Sequence, residues 1–249
     1  MVYFIGAGPG DPKLLTIKAA EVLKKACMVI YAGSLVNKEI LKYCDDNAIK
    51  HNSASMDLDT IINLMEEGTK DEKIVARVHT GDPSIYGAIK EQMIRLDEKG
   101  IRYEVIPGVS SFTAVASRLN AEFTLPGISQ TVIITRVEGR TGKSEGGKLE
   151  ELAKHKASMA IFLSIQEIDN VIESLLEGYD EDTPTAVVYK ATWDDESILK
   201  GTLKDIGSKV KKAGITRHAM ILVGRFLKDE GELSKLYASN FSHMFREAK

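Results

Sequence analysis

Three glycine-containing segments each follow a short apolar run and precede a longer amphipathic one. They cover residues 6–11, 80–87 and 107–112. Glycine lets a backbone turn tightly and approach a ligand closely, and open α/β sheets bind ligands outside the carboxyl ends of their strands. We therefore expect a ligand-binding edge, where Asp82 and the serines at 110 and 111 supply polar groups. Asp82 has an alternative role, as the cap of a helix that begins at Pro83.

These and neighbouring residues match several known motifs in part, but they complete none of them. A dinucleotide fingerprint would need glycine where Asp11 stands, and Pro9 lacks an N–H to offer a phosphate. A phosphate-binding GxxxxGKS would need glycine at Val137, and a nucleophile elbow would need it at Phe112. The five histidines form no HExxH and show no paired spacing, so the sequence gives no support for a metal site.

Composition limits the class of protein. The chain has 249 residues, of which 43% are hydrophobic, and its formal charge is −3. This balance favours a folded core and disfavours a globally basic nucleic-acid binder. The two cysteines, Cys27 and Cys44, are not in a CxxC pair, which disfavours a disulfide scaffold. Residues 1–11 have no basic start and no long apolar run, so we expect a cytoplasmic protein without a membrane segment.

Apolar periodicity predicts alternating strands and helices along most of the chain. Strands are expected at 2–5, 28–31, 73–78, 102–105, 131–136, 158–163, 185–190 and 218–223, and helices at 13–25, 37–43, 57–67, 85–97, 110–119, 148–154, 167–177 and 203–212. The pattern is that of an α/β protein with two lobes, each a mainly parallel or mixed sheet flanked by helices. We expect an N-terminal lobe at 1–115 and a C-terminal lobe at 116–249, with a docked tail.

An ordered set of motifs carries a resemblance to a known family. VYFIGAGPGDP, TGDPSIYG, PGVSS, IFLS, YKATWDDE and HAMILVG follow one another over nearly the whole chain. In this order they resemble the tetrapyrrole methylases, the class III S-adenosylmethionine-dependent methyltransferases. The resemblance implies two α/β lobes with a ligand cleft between them, S-adenosyl-L-methionine as methyl donor with S-adenosyl-L-homocysteine as product, a tetrapyrrole substrate, and a homodimer.

Further strings are similar to one branch of that family, which methylates carbon 11 of precorrin-4 or cobalt-precorrin-4 in cobalamin biosynthesis. They are YAGSLVN, NSASM, SQTVIITR with EGRT, and SKLY. The sequence departs from this branch after Thr141, where GKSEGGK replaces a more proline-rich loop. The departure affects the expected substrate contacts of the loop and leaves the expected fold unchanged.

The family resemblance also implies which residues contact the ligands. The implied donor-binding residues are Pro9, Thr80, Gly81, Asp82, Ile85, Ser110, Ser111, Leu163, Ala191 and Ala219. The expected substrate-binding residues are Gly8, Gly10, Asp11, Arg136 and Arg140, where the two arginines form a basic rim for an acidic ring. No catalytic residue is assigned, and Tyr86 is the one candidate base, with packing as its alternative role. No metal site is expected.

Other functions remain open at this point. The first is an NAD- or phosphate-using α/β enzyme, and the second is a binding protein without catalysis. Within the family, methylation of another ring carbon, of ribosomal RNA or of a modified histidine is a further alternative. An RNA substrate would require a strongly positive face, and the net charge of −3 disfavours it.

Overall fold

A computed structural model describes residues 1–137, 147–228, 238–242 and 244–247. The chain divides into two compact units. The first contains Met1–Ala114 together with a short segment, Lys190–Asp195, that is distant in sequence. The second contains Val115–Tyr189 and the described residues from Glu196 onward. The sequence-based lobe boundary at residues 115 and 116 stays a prediction.

The first unit is built on a five-stranded, entirely parallel sheet. Its strands are β1 (Val2–Gly6), β2 (Met28–Tyr31), β3 (Ile49–Asn52), β4 (Val75–His79) and β5 (Tyr103–Ile106), and its helices are α1 (Ile17–Lys25), α2 (Leu58–Gly68), α3 (Lys90–Glu98) and α4 (Ser111–Arg118, which continues into the second unit). The strand order is β3-β2-β4-β1-β5. Every residue of β2 and β4 is buried, as expected for parallel strands covered by helices on both faces.

The second unit is built on a mixed sheet with the order β6-β7-β10-β8-β9. Its strands are β6 (Val132–Arg136), β7 (Ser158–Phe162), β8 (Pro184–Tyr189), β9 (Ser197–Thr202) and β10 (Ala219–Val223), and its helices are α5 (Leu149–Ala153), α6 (Ile168–Leu176) and α7 (Ile206–Lys212). Strands β6 and β7 are parallel, and the other pairs are antiparallel. The predicted fold class, with one parallel and one mixed sheet flanked by helices, is confirmed.

Each unit has its own apolar core. In the first unit, one cluster around Ile5, Leu23 and Val78 and another around Phe4 and Met65 cover the sheet. In the second unit, a single large cluster packs α5, α6 and α7 against the sheet. Because each sheet is covered by its own helices, the two units bury their apolar residues independently.

The sequence did not predict two of the strands, and both lie at sheet edges. β3 has the sequence IKHN and β9 the sequence SILKGT, and most of their residues are partly or fully exposed. An edge strand carries polar residues because one side faces water, so its apolar periodicity is weak. Both strands gain order from pairing with buried neighbours, β2 and β8.

The helix expected at 85–97 begins later than its sequence indicated. α3 starts at Lys90, and its cap residue, Ile89, makes no side-chain hydrogen bond. Residues between Pro83 and Ile89 form turns instead, with left-handed backbone at Tyr86 (φ 54°) and Ala88 (φ 48°). The alternative role of Asp82 as a helix cap is therefore wrong, because no helix begins at Pro83.

Candidate functional site

The three glycine-containing segments meet at one edge of the first sheet. They follow β1, β4 and β5, which are neighbours in the order β4-β1-β5. The backbones of Gly8 and Gly81 pair directly: Gly81 N donates to Gly8 O at 2.8 Å, and Gly8 N donates to Gly81 O at 3.2 Å. The predicted convergence of these segments at the carboxyl ends of parallel strands is thus present in the fold.

Glycine is required where these segments touch. A Cβ on Gly108 would lie 2.3 Å from Gly81 O, and one on Gly6 would lie 2.6 Å from Gly108 N. Real Cβ atoms do not approach backbone atoms so closely. Gly81 itself has φ +61°, a left-handed conformation that favours glycine. The missing side chains let three backbones pack in contact, which brings their polar groups to one place.

Asp82 ties two of the segments together. Its Oδ2 accepts a hydrogen bond from Gly108 N at 2.9 Å, and its Oδ1 accepts hydrogen bonds from the backbone N and the hydroxyl of Ser84. Burial on its own would raise the pKa of the Asp82 carboxyl, but these hydrogen bonds outweigh it and lower the pKa. Asp82 therefore stays ionised and retains acceptor capacity, because a carboxylate offers about four acceptor sites.

Three hydroxyl-bearing residues lie near the turn that contains Asp82. Thr80 precedes Gly81, and a Cβ on Gly81 would lie 3.8 Å from Ser110 Cα and 3.6 Å from Ser111 N. Ser110 is only 8% exposed, and its carbonyl accepts from Thr113 Oγ1 and Ala114 N at the start of α4. Within the part of the chain that the structure describes, none of the three hydroxyls has a hydrogen-bond partner. These hydroxyls can therefore donate to or accept from a polar ligand.

The segment Lys190–Asp195 packs against the first glycine-rich turn. Trp193 Nε1 donates to Pro9 O at 2.9 Å, and Asp11 N donates to Thr192 Oγ1 at 2.9 Å. A Cβ on Gly10 would lie 2.1 Å from Trp193 Cδ1. This arrangement brings the buried Ala191 beside the turn and groups it with the candidates Gly8, Pro9, Gly10 and Asp11, which are distant from it in sequence.

The remaining candidates lie in the second unit. Leu163 follows β7, is 62% exposed and has φ 54°. Ala219 begins β10, and extending the antiparallel register of Ile221 with Ile161 by two residues sets it opposite Leu163. Arg136 ends β6 and pairs with Phe162 in the register, so these residues share one end of the second sheet. Arg140 lies outside the described residues. The ligand roles of all these candidates stay predictions.

Two buried polar residues of β4 were missed by the sequence analysis. Arg77 and His79 are each 5% exposed and, two residues apart, project from the same face of the strand. Arg77 Nε donates to Gln92 Oε1 at 3.0 Å, and Nη1 donates to Ser53 Oγ at 3.1 Å. The signal was present as KIVARVHT, where a cation and an imidazole interrupt an apolar strand with a spacing of two.

His79 is held in its neutral form. Burial, and secondarily the positive charge of Arg77, lower the pKa of the His79 imidazole to about 3, although a backbone hydrogen bond at Gly87 opposes the shift. Burial also lowers the pKa of Arg77, to about 10, so the guanidinium remains charged at neutral pH. Among the described residues, His79 Nε2 is fully buried and lacks a hydrogen-bond partner.

The described residues were compared with what a metal site and a membrane-spanning helix require. They contain no group of three or more His, Cys, Asp or Glu side chains that could hold a metal ion. None of the helices in these same ranges combines the length and apolar character that a membrane crossing requires.

Replacing Gly108 by alanine tests the packing of the three segments. We expect Gly108→Ala to lower the free energy of unfolding by about 3 kcal/mol or more, because the new Cβ would overlap Gly81 O. Gly100→Ala is the control: its Cβ would meet nothing within 4 Å, and its φ of +66° costs only about 1–2 kcal/mol. Urea unfolding measures both. Equal losses in the two variants would contradict the proposed close contact.

Stability should depend on pH through His79. Between pH 6.5 and about 3 the unfolded imidazole is protonated and the folded one is neutral, so the unfolded state binds more protons. Stability therefore falls as pH is lowered through this window, with a slope from His79 approaching about 1.4 kcal/mol per pH unit. Urea unfolding across pH 4–7 should show a shallower slope for His79→Gln. Identical slopes would contradict a neutral, buried His79.

Comparison with known proteins identifies the relatives of this chain. The family model for tetrapyrrole (corrin/porphyrin) methylases matches residues 1–207. A cobalt-precorrin-4 C(11)-methyltransferase of Methanocaldococcus jannaschii is 54% identical over 249 residues, covering 99% of this chain and 96% of the relative. The expected family and methyltransferase class are thereby confirmed.

Solved structures agree with the sequence relatives. The X-ray structure of a cobalt precorrin-4 methyltransferase of cobalamin biosynthesis superposes with a TM-score of 0.88 at 45% identity, covering 91% of this chain and 95% of the other. A uroporphyrin-III C-methyl transferase from Thermus thermophilus, complexed with S-adenosyl homocysteine, gives a TM-score of 0.76 at 26% identity and covers 91% of this chain and 98% of the other. The family model matches most of the chain, and the fold has two sheets with a glycine-rich binding edge on the first. The chain belongs to the tetrapyrrole methylase family.

Proposed function

We propose that this chain transfers the methyl group of S-adenosyl-L-methionine to carbon 11 of cobalt-precorrin-4, or of the cobalt-free macrocycle, in cobalamin biosynthesis. The observation that carries the proposal is the 54% identity, over 99% of the chain, to a relative named for that reaction. Methylation of another ring carbon is the runner-up, because relatives with other printed activities share the fold at lower identity.

The donor fits the groups around Asp82. The donor has ribose hydroxyls that need acceptors and a carboxylate that needs donors. The Asp82 carboxylate supplies an acceptor, and the hydroxyls of Thr80, Ser110 and Ser111 can either donate or accept. Gly81 has no side chain, so a ligand can come close to the backbone there. These features support Thr80, Gly81, Asp82, Ser110 and Ser111 as donor-binding residues.

The chemistry supplied by the donor is a single in-line displacement, in which the C–S bond breaks with its electron pair leaving on a neutral sulfur while a new C–C bond forms. The residues of this chain then need to hold the reactants and exclude water. Correct alignment of reacting atoms about 3–3.5 Å apart contributes several kcal/mol to catalysis. Rigid backbone contacts, such as the Gly8–Gly81 pair, suit this positioning task.

Tyr86 is the proposed base for any proton that leaves the ring after methylation. Its side chain is 43% exposed, and its φ of 54° is an unfavourable backbone conformation that structures retain mainly at functional positions. We expect Tyr86→Phe to lower kcat by about 100-fold if proton removal is its role, since general base catalysis contributes about that much or more. Unchanged turnover would leave Tyr86 with packing alone.

Three further features belong to the same proposal. A homodimer and a cytoplasmic location are proposed on the family resemblance. Arg136 and Arg140 are proposed as a basic rim for substrate carboxylates, supported by the ability of arginine to bind carboxylates through two parallel hydrogen bonds. Neither RNA nor DNA is proposed as a partner, because the net charge is −3.

Labelled methyl transfer tests the function directly. The chain is incubated with donor labelled in its methyl group and with precorrin-4, with and without cobalt, and the labelled carbon is mapped. We expect label at carbon 11 and a preference for one metal state. Label at another carbon would support the runner-up reaction. No transfer, together with no binding of S-adenosyl-L-homocysteine by calorimetry, would contradict the proposal.

Asp82→Asn tests the donor site within this function. The change preserves shape and removes the charge, and hydrogen bonds to a charged group contribute about 1.5–3 kcal/mol. We expect the Kd for S-adenosyl-L-homocysteine to rise by about 10-fold or more in calorimetry. Asp57→Asn is the matched control, because Asp57 caps α2 through Thr60 N at 2.8 Å and asparagine caps equally well. Equal affinities in both variants would exclude Asp82 from the donor site.

A further inference from the structure

A cavity of about 300 Å³ lies within the first unit, beside the carboxyl end of β4. Arg77 and His79 contribute to its polar lining, together with Gln92, Glu91 and the donor-site candidate Thr80. Apolar side chains form much of the remaining wall, including those of Leu35, Met56, Leu58, Ile61 and Ile85. Its volume is at the lower limit for small-molecule sites, which suits part of a large ligand. We call it the Arg77 cavity.

Arg77 is a buried cation without a matching anion. Its described hydrogen-bond partners are all neutral: Gln92 Oε1, Ser53 Oγ and Ile30 O, the last at 3.4 Å. These contacts occupy Nε and Nη1, whereas Nη2 has no acceptor among the described residues. No carboxylate in the same ranges lies within ion-pair distance. An uncompensated buried charge is costly, and a ligand carboxylate at Nη2 would compensate it.

His79 adds a second unsatisfied group to the same lining. Only 5% of His79 is exposed, and its Nε2 has no hydrogen-bond partner in the described part of the chain. Because Arg77 and His79 project from the same face of β4, a ligand that reaches the guanidinium also comes near the imidazole. The cavity is therefore lined by two polar side chains, each of which has a nitrogen without a hydrogen-bond partner among the described residues.

Residues 86–88 form part of the cavity wall and have an unusual backbone conformation. Tyr86 and Ala88 both have left-handed backbone, and Gln92 Nε2 donates to Ala88 O at 2.9 Å. The same Gln92 accepts from Arg77 Nε. One side chain thus links the guanidinium of Arg77 to the backbone of this part of the wall.

We propose that the Arg77 cavity receives one carboxylate-bearing side chain of the tetrapyrrole, with the carboxyl group at Arg77 Nη2 and His79 Nε2. The methylene groups of that side chain would then pack against the apolar wall. An acetate or propionate arm has this combination of a charged end and a short apolar stem. The inference rests on the proposed function, because the tetrapyrrole ring supplies the arm.

The hydrogen bond at His79 requires an N–H on Nε2. A neutral imidazole carries one N–H on either ring nitrogen, and we place it on Nε2, the nitrogen without a partner among the described residues. The other titratable groups that line the cavity are Arg77, the exposed Glu91 of α3, and Tyr86. Glu91 opposes an incoming carboxylate, so its removal should act in the opposite direction to removal of Arg77.

Variants of Arg77 test the proposal by calorimetry. The probes are a corrinoid with free acetate and propionate side chains and the same corrinoid with those side chains converted to amides. We expect Arg77→Met to raise the Kd for the free acid by about 10- to 100-fold, the loss that corresponds to hydrogen bonds with a charged group. The amide should bind equally to the wild-type chain and the variant, because it has no carboxylate for Arg77 to hold.

Two controls separate charge at this position from charge elsewhere. Arg95→Met removes a cation of α3 that is paired with Asp59 at the surface, and it should leave the Kd unchanged. Glu91→Gln should lower the Kd. Both Arg77→Met and Arg95→Met should bind S-adenosyl-L-homocysteine within 2-fold of the wild-type chain.

A second variant guards against misfolding of Arg77→Met. His79→Phe replaces the imidazole with an apolar ring, and no described hydrogen bond of Arg77 involves His79. We expect a Kd for the free-acid corrinoid that is at least 3-fold higher. Equal affinities for the free acid in wild type, Arg77→Met and His79→Phe would overturn the cavity proposal.

The outcomes distinguish this inference from the proposed function. A wild-type chain that labels carbon 11, with substrate affinity unaffected by both variants, would leave the function standing and overturn the carboxylate site. A wild-type chain that binds the free acid through Arg77 but transfers no methyl would support the carboxylate site and contradict the function. Equal weakening of free acid and amide would also overturn the proposal, because it indicates a structural role.

Discussion

Close packing of three glycines is the constraint on which the candidate site depends. Gly6, Gly81 and Gly108 lie where neighbouring parallel strands end. Gly6 and Gly108 both approach the backbone of Gly81 more closely than a Cβ allows, and Gly81 itself has a left-handed φ of +61°. Because the parallel strands β4, β1 and β5 all end at one edge, their following turns must share limited space. Glycine has no side chain, so these turns can pack together. Backbone groups and short polar side chains then face the same region.

The polar groups at that edge are organised by one carboxylate. Asp82 connects the turn after β4 to the turn after β5 through Gly108 N, which fixes the positions of the nearby hydroxyls. Trp193 and Thr192 stabilise the third turn, after β1, from a segment over 180 residues away in sequence. Rigid positioning of this kind suits methyl transfer, in which alignment contributes more than a reactive side chain. The second unit has an apolar core of its own.

Arg77 and His79 show a different balance between stability and binding. A core of parallel strands is most stable when its buried faces are apolar, yet β4 carries a charged guanidinium and an imidazole with an unsatisfied nitrogen. Both groups cost stability in the absence of a ligand. Natural proteins retain such costs mainly where function benefits, and Tyr86 and Ala88, with their left-handed backbone, line the same cavity.

Sequence alone determined the family, the two α/β sheets and the three turns that form the edge, because motif order and apolar periodicity are local properties. It did not determine β3 and β9, whose pairing with buried neighbours creates strand structure that their polar sequences do not indicate. It also extended α3 through Tyr86, since periodicity does not register a left-handed residue. Only the tertiary structure decided that Ala191 lies beside Gly10 and that Arg77 and His79 line one cavity. Burial and contacts between distant segments arise from the packing of the whole unit, and no spacing within one segment encodes them.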